Sequence, residues 1–195
     1  LYSCREIKEW FLKKGRTCEV VDISTDLGIP VCAAISTKHD GSDLKLGFAA
    51  SFDAAAAIEK SLTELAQLLI VDQLQESAIR QAGEIERVKA TSRKPRLPDR
   101  LTPIRKERFD PLPSRCTHKP TTDICVEICQ KAGLELMAID FTRVTLGVPV
   151  ARVLVPGLRQ ILPAFGPGRM FDVPRRLGWS KQPAESRLNP VPLPA

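Results

Sequence analysis

Asp53 to Gln75, DAAAAIEKSLTELAQLLIVDQLQ, is the longest uninterrupted helical pattern in the chain. Ile58, Leu62, Leu65 and Leu69 fall at i, i+4, i+7 and i+11, a stripe that must face a core. Ser51 or Asp53 can cap its start by accepting a backbone N–H bond. Lys60, Glu64 and Gln67 are spaced four and three apart and project together from another face. That face also carries Ala57, Val71 and Leu74, so it does not read as plain solvated surface. If buried there, a carboxylate and a carboxamide need partners, which a metal ion or a phosphate would supply. The alternative is an exposed polar patch with a Lys60–Glu64 pair, since charged residues are seldom buried.

The chain around this helix has 195 residues, 43% of them hydrophobic, enough for one core in a large single domain. Sixteen prolines and only 5% aromatics point to many irregular connections. No segment approaches the roughly 18 consecutive apolar residues of a membrane span. The opening LYSCREIKEW is a charged amphipathic helix pattern, not a signal peptide. It begins with Leu rather than Met, so a start part-way through a longer polypeptide is expected. Six scattered cysteines, without an export signal, read as reduced thiols of a cytoplasmic protein. Cys116, His118, Cys125 and Cys129 suggest a zinc test, but the spacing lacks the usual C-x2-C knuckle, and small buried thiols are the alternative.

The net charge of +6 is concentrated in one stretch. Residues 80–119 hold twelve Lys/Arg against five acids, a net +7, leaving −1 for the rest. Residues 91–120 also hold six prolines and are expected to form an irregular crossing segment. Helices are expected at Ser3–Lys14 and Thr121–Ala132, and the long helix is expected to fray out toward Ala90. Strands are expected at Cys18–Ile23, Ile29–Ser36, Leu44–Ala50, Leu134–Phe141 and Val148–Val155. The Pro- and Gly-rich remainder reads as a wrapping tail.

The chain also repeats itself. Gly15-RTCEVV-Asp22-I-Ser24 followed by Leu27-Gly28-Ile29-Pro30-Val31 matches Gly133-LELMAI-Asp140-F-Thr142 followed by Leu146-Gly147-Val148-Pro149-Val150. The glycine-to-aspartate spacing is seven in both copies, and the second has one extra turn residue. The fold class expected is therefore α/β, a pseudo-twofold repeat of helix-strand-turn-strand units with a long central helix and a Pro-rich C-terminal tail.

Asp26-LGIPV, the Glu64-Leu65-Ala66-Gln67 helix, Leu146-GVPVARVLVPGL, Phe171-DVPRRLGW and the Pro-rich end, taken in that order, resemble the YcaO superfamily. The nearest branch is the thiazole/oxazole-forming, SagD-like cyclodehydratases, and the resemblance runs from about Trp10 to Ala195. It implies one YcaO-like domain over residues 1–195, lacking its N-terminal part. It also implies that a Cys, Ser or Thr of a precursor peptide attacks the preceding carbonyl. ATP phosphorylates the resulting oxygen, and loss of phosphate leaves an azoline ring. Phosphoryl transfer asks the protein for positioning, Mg²⁺ and charge neutralisation.

By the same resemblance Glu64 is a Mg²⁺ ligand, Gln67 helps hold the metal and phosphates, and Lys60 neutralises phosphate charge. Arg152, on the strand after the second L-G-V-P-V, matches a nucleotide-side arginine, with a strand-edge ion pair as its other reading. Pro190, Pro192 and Pro194 match a C-terminal P-x-P-x-P that assists ring formation, a disordered tail being the alternative. Since only Ala195 follows the motif, this end is expected to be native. The cofactors implied are ATP and Mg²⁺. The partners are a precursor peptide and a leader-peptide-binding protein or domain, with homodimerisation left open. The family's second nucleotide motif, a glutamate-rich E-x-x-E-R helix, has no counterpart here and would precede Leu1.

A second reading is a non-catalytic binding module or inactive fragment presenting the basic segment 80–119 to an acidic peptide or partner. Nucleic-acid binding gains little, because that segment holds one aromatic, Phe109, where base stacking wants several. The two histidines, His39 and His118, sit in no nucleophile–base pattern. No Walker loop or G-x-G-x-x-G occurs.

Overall fold

The computed structural model describes residues 4–81, 121–158 and 168–179. These fall into two compact units, each built from helices and a small antiparallel sheet. The first unit carries α1 (Cys4–Lys13), β1 (Glu19–Asp22), β2 (Val31–Ser36), β3 (Lys45–Ala50) and α2 (Ala54–Gln81). The second carries α3 (Thr121–Lys131), β4 (Met137–Asp140), β5 (Ala151–Leu154) and α4 (Arg169–Arg176), together with the turn Thr25–Gly28.

In the first unit the order is β1-β2-β3, with Val21 opposite Ala33 and Ala33 opposite Phe48. The stripe expected on α2 is its buried face: Leu62 and Leu65 are fully buried and Leu69 nearly so. They form one core with Phe11 and Ala34, and Ile7, Trp10, Val20 and Ile58 pack around it. Asp53 is the residue that caps α2, its Oδ1 accepting the Ala55 N–H at 3.0 Å.

The helix lies very close to β3, and Gly47 is the reason. A Cβ at that position would fall 2.4 Å from the Ser61 carbonyl oxygen and 2.6 Å from the Leu65 nitrogen. Both are backbone atoms that cannot swing aside, so any larger residue pushes the whole helix off the sheet. A buried polar network closes one end of this unit. Arg16 donates to Ser36 Oγ at 3.0 Å and to Asp43 Oδ2 at 2.8 Å. Lys45 bridges Asp43, at 3.8 Å, and Asp72 on α2.

The turn between β1 and β2 is tied by its own side chains. Asp22 Oδ1 accepts the Ser24 N–H at 2.8 Å, and Ser24 Oγ accepts the Val31 N–H at 2.9 Å. Between β4 and β5, Asp140 Oδ1 accepts the Thr142 N–H at 2.8 Å, and Thr142 Oγ1 accepts the Val150 N–H at 3.1 Å. Asp22 stands opposite Cys32, and Asp140 opposite Ala151. Each local pattern thus uses an aspartate and a hydroxyl at equivalent places in the repeated sequence. The Thr142 bonds hold the Asp140 carboxyl below the usual carboxylate range.

Several expected boundaries move. β2 and β5 begin later than their apolar runs, at Val31 and Ala151, because Pro30 and Pro149 cannot donate to a ladder. The long helix is described as far as Gln81, and residues 82–90, over which it is expected to fray, lie outside the described residues. The supposed wrapping tail contains α4, overlooked because Pro174 lies inside it. Gly168 precedes α4, and its carbonyl accepts the N–H groups of Phe171 and Asp172. The turn residue Asp26 is gripped by Arg169 and by Arg176, the latter at 2.5 Å.

Candidate functional site

The face of α2 marked out by Lys60, Glu64 and Gln67 exists, and all three side chains are exposed. Glu64 and Gln67 are therefore not buried groups that require a ligand. Of the apolar neighbours on that face, only Ala57 is buried, while Val71 is 48% and Leu74 64% exposed. The reason lies in the helix phase. The close seat of Ser61, Leu62 and Leu65 against β3 turns this face past the edge of the sheet.

The carboxylate nevertheless has a defined partner. Glu64 Oε2 accepts the backbone N–H of Phe48 at 2.6 Å. Among the described residues β3 pairs with β2 on one side only, and this bond satisfies a donor on its other side. No ion pair joins Glu64 to Lys60 among the described residues, so the i,i+4 pairing is not what organises this face.

Arg152 lies on β5 in the second unit, exposed and opposite Ile139. The motif Pro190, Pro192 and Pro194 lies outside the described residues, as do Cys116, His118 and residues 82–119 of the basic segment. Cys125 and Cys129 are free thiols on α3. Among the described residues no three His, Cys, Asp or Glu side chains come together as a metal site. Burial pushes the Cys18 and Cys32 thiols up to about 11, which suits packing better than nucleophilic chemistry.

A groove of about 570 Å³ runs between α1 and α2, floored by Ile7, Trp10, Ala66 and Ile70. It follows a different flank of α2 and includes none of Lys60, Glu64 and Gln67. No described helix is long and apolar enough to cross a membrane.

Mg²⁺ takes oxygen donors and commonly keeps several waters, binding through one or two carboxylates together with substrate phosphates. An exposed carboxylate with one oxygen held and the other open, beside a carboxamide one turn away, fits that habit. It does not make a complete cage. The donor that orients Glu64 was missed by the sequence reading, because Phe48 lies sixteen residues upstream and contributes a backbone atom.

The profile of the YcaO cyclodehydratases, described as ATP- and Mg²⁺-binding, matches residues 2–159. A protein of Methanothermobacter thermautotrophicus (strain Delta H), bearing only the name "Uncharacterized protein", is 29% identical over 161 residues. That match takes in 77% of this chain and 41% of the relative. A solved heterocyclase in complex with substrate and cofactor is 34% identical, with a TM-score of 0.74 over 98% of this chain. The heterocyclase TruD is 31% identical, with a TM-score of 0.75 over the same share. This chain spans 26% and 27% of those two structures' lengths.

Proposed function

The chain belongs to the YcaO cyclodehydratase family, and from that premise we propose that it is the C-terminal portion of an enzyme that uses ATP to phosphorylate a peptide backbone amide oxygen. The product is an azoline ring at Cys, Ser or Thr of a precursor peptide. The observation that carries this reading is the exposed face of α2. It sets an oriented carboxylate, a carboxamide and an ammonium within two helical turns.

In this reading Glu64 offers its free oxygen to Mg²⁺, and Gln67 offers its carboxamide oxygen one turn further on. Mg²⁺, when bound, neutralises charge on the phosphates. Lys60 adds a cation one turn before Glu64. Arg152 supplies a guanidinium fork, suited to bidentate phosphate recognition. The Pro190–Pro194 motif would approach the reacting peptide as a stiff segment that loses little entropy on ordering. The remaining metal and nucleotide ligands would come from a second, glutamate-rich helix elsewhere in the enzyme. The two repeat units would form one pseudo-twofold domain, working in the cytoplasm with a leader-peptide-binding partner.

The test is Glu64→Gln in the complete enzyme, followed by loss of water from the precursor peptide in mass spectra and by phosphate release. Ring formation should disappear while the circular dichroism spectrum is retained. Undiminished turnover would remove Glu64 from the metal site.

A second reading rests on the net charge of +7 in residues 80–119. In it the chain is a non-catalytic YcaO-like module that binds an acidic peptide through residues 80–119. Peptide binding insensitive to Glu64→Gln, with no nucleotide hydrolysis, would select it.

A further inference from the structure

Metal-ligating carboxylates work best when a donor fixes one oxygen and leaves the other aimed at the ion. In this chain that donor is main chain. The Phe48 N–H lies 2.6 Å from Glu64 Oε2, the short distance of a bond to a charged acceptor. It is available because, among the described residues, β3 is an edge strand and the N–H turns away from β2. It is within reach because Gly47, next to it, lets α2 settle against the strand at the level of Ser61 and Leu65. Glu64 sits one residue before Leu65, so the same close approach sets its height over the strand edge.

We propose that the Phe48 backbone N–H is a positioning group for the metal site, clamping Glu64 Oε2 so that Oε1 is presented to Mg²⁺, with Gly47 setting the distance. The proposal rests on the reading of Glu64 as a metal ligand. A side-chain donor could rotate away. An edge-strand amide cannot, so the carboxylate is oriented before the metal arrives. The same bond blunts the strand edge against pairing with another chain.

Mn²⁺, titrated together with ATP into the complete enzyme and read by electron paramagnetic resonance, serves as the probe. Phe48→Pro removes the N–H, and proline is tolerated on an edge strand where the missing donor faced outward. Phe48→Ala is the reference, because it deletes the ring and keeps the N–H. The expected result is Mn²⁺ affinity about tenfold weaker in Phe48→Pro than in Phe48→Ala, in the range seen when groups that orient metal ligands are removed. Equal affinity in the two variants, with both binding lost in Glu64→Gln, overturns the positioning role and leaves the ligand reading standing. Mn²⁺ binding that is the same with and without Glu64 overturns the ligand reading and the proposal together. Should Phe48→Pro not fold, Glu64→Asp takes its place. It keeps the charge but is one methylene too short to reach the Phe48 N–H, and undiminished affinity in that variant overturns the proposal.

Discussion

Gly47→Ala is the most informative single substitution in the first unit, because its cost can be worked from three distances. The added Cβ would lie 2.4 Å from Ser61 O, 2.6 Å from Leu65 N and 3.0 Å from Leu65 Cα. Ordinary contact needs about 3.5 Å, so α2 must retreat by about 1 Å. A gap of that size forfeits about a quarter to a half of each dispersion well. Leu62, Leu65 and Leu69, all buried, each gain about 2 kcal/mol from burial. Loosening them together costs about 1.5–3 kcal/mol. Losing the charged Phe48–Glu64 bond adds about 1.5 kcal/mol, and replacing glycine in a strand returns about 0.5–1 kcal/mol. The net loss expected is about 2–4 kcal/mol. Urea unfolding of the 195-residue chain, followed by far-ultraviolet circular dichroism, measures it directly. A Gly47→Ala variant within about 0.5 kcal/mol of the parent would refute the close seat of α2 on β3, and with it the account of how Glu64 is held.

Arg16→Ala should destabilise the first unit by about 3 kcal/mol, since it strips the buried Asp43 carboxylate of its guanidinium partner. Arg16→Lys should recover only part of that, because one ammonium cannot replace a fork that bonds both Ser36 and Asp43. Thermal melts of the three proteins decide it, and an Arg16→Ala melt equal to the parent's sinks the point. The thiols of Cys18 and Cys32 make an alkaline prediction. Burial raises both from 9.0 to about 11, so the native chain keeps its thiol protons at a pH where the unfolded chain has released them. Their contribution is whole below about pH 9 and is lost as the pH rises toward about 11. Urea midpoints taken at about pH 8 and about pH 10.5 should fall less in a Cys18→Ala, Cys32→Ala double variant than in the parent. An equal fall would show that other groups govern the alkaline limb.

Much of the scaffold is written in local pattern. The phase of Ile58, Leu62, Leu65 and Leu69 identifies the face of α2 that turns inward, because a period of 3.6 residues translates spacing directly into direction. For the same reason Lys60, Glu64 and Gln67 can be grouped on one face without any structure. The Asp-x-Ser/Thr turns followed by Leu-Gly-x-Pro-Val likewise mark two strand pairs, since a side-chain acceptor and a positive-φ glycine are strictly local requirements.

Other properties belong to the packing. Whether the Lys60–Gln67 face is buried depends on how near α2 sits to β3, and Gly47 decides that from thirteen residues before Lys60. Glu64 finds its partner in the amide of Phe48, a group that every residue except proline possesses and that no pattern can single out. Asp26 is held by arginines 143 and 150 residues away on a helix that Pro174 conceals from a propensity reading. The sequence by itself determined the faces and the turns, because each arises within a few residues along the chain. Only the tertiary structure decided burial and polar partnership, because each depends on what distant backbone arrives at that face.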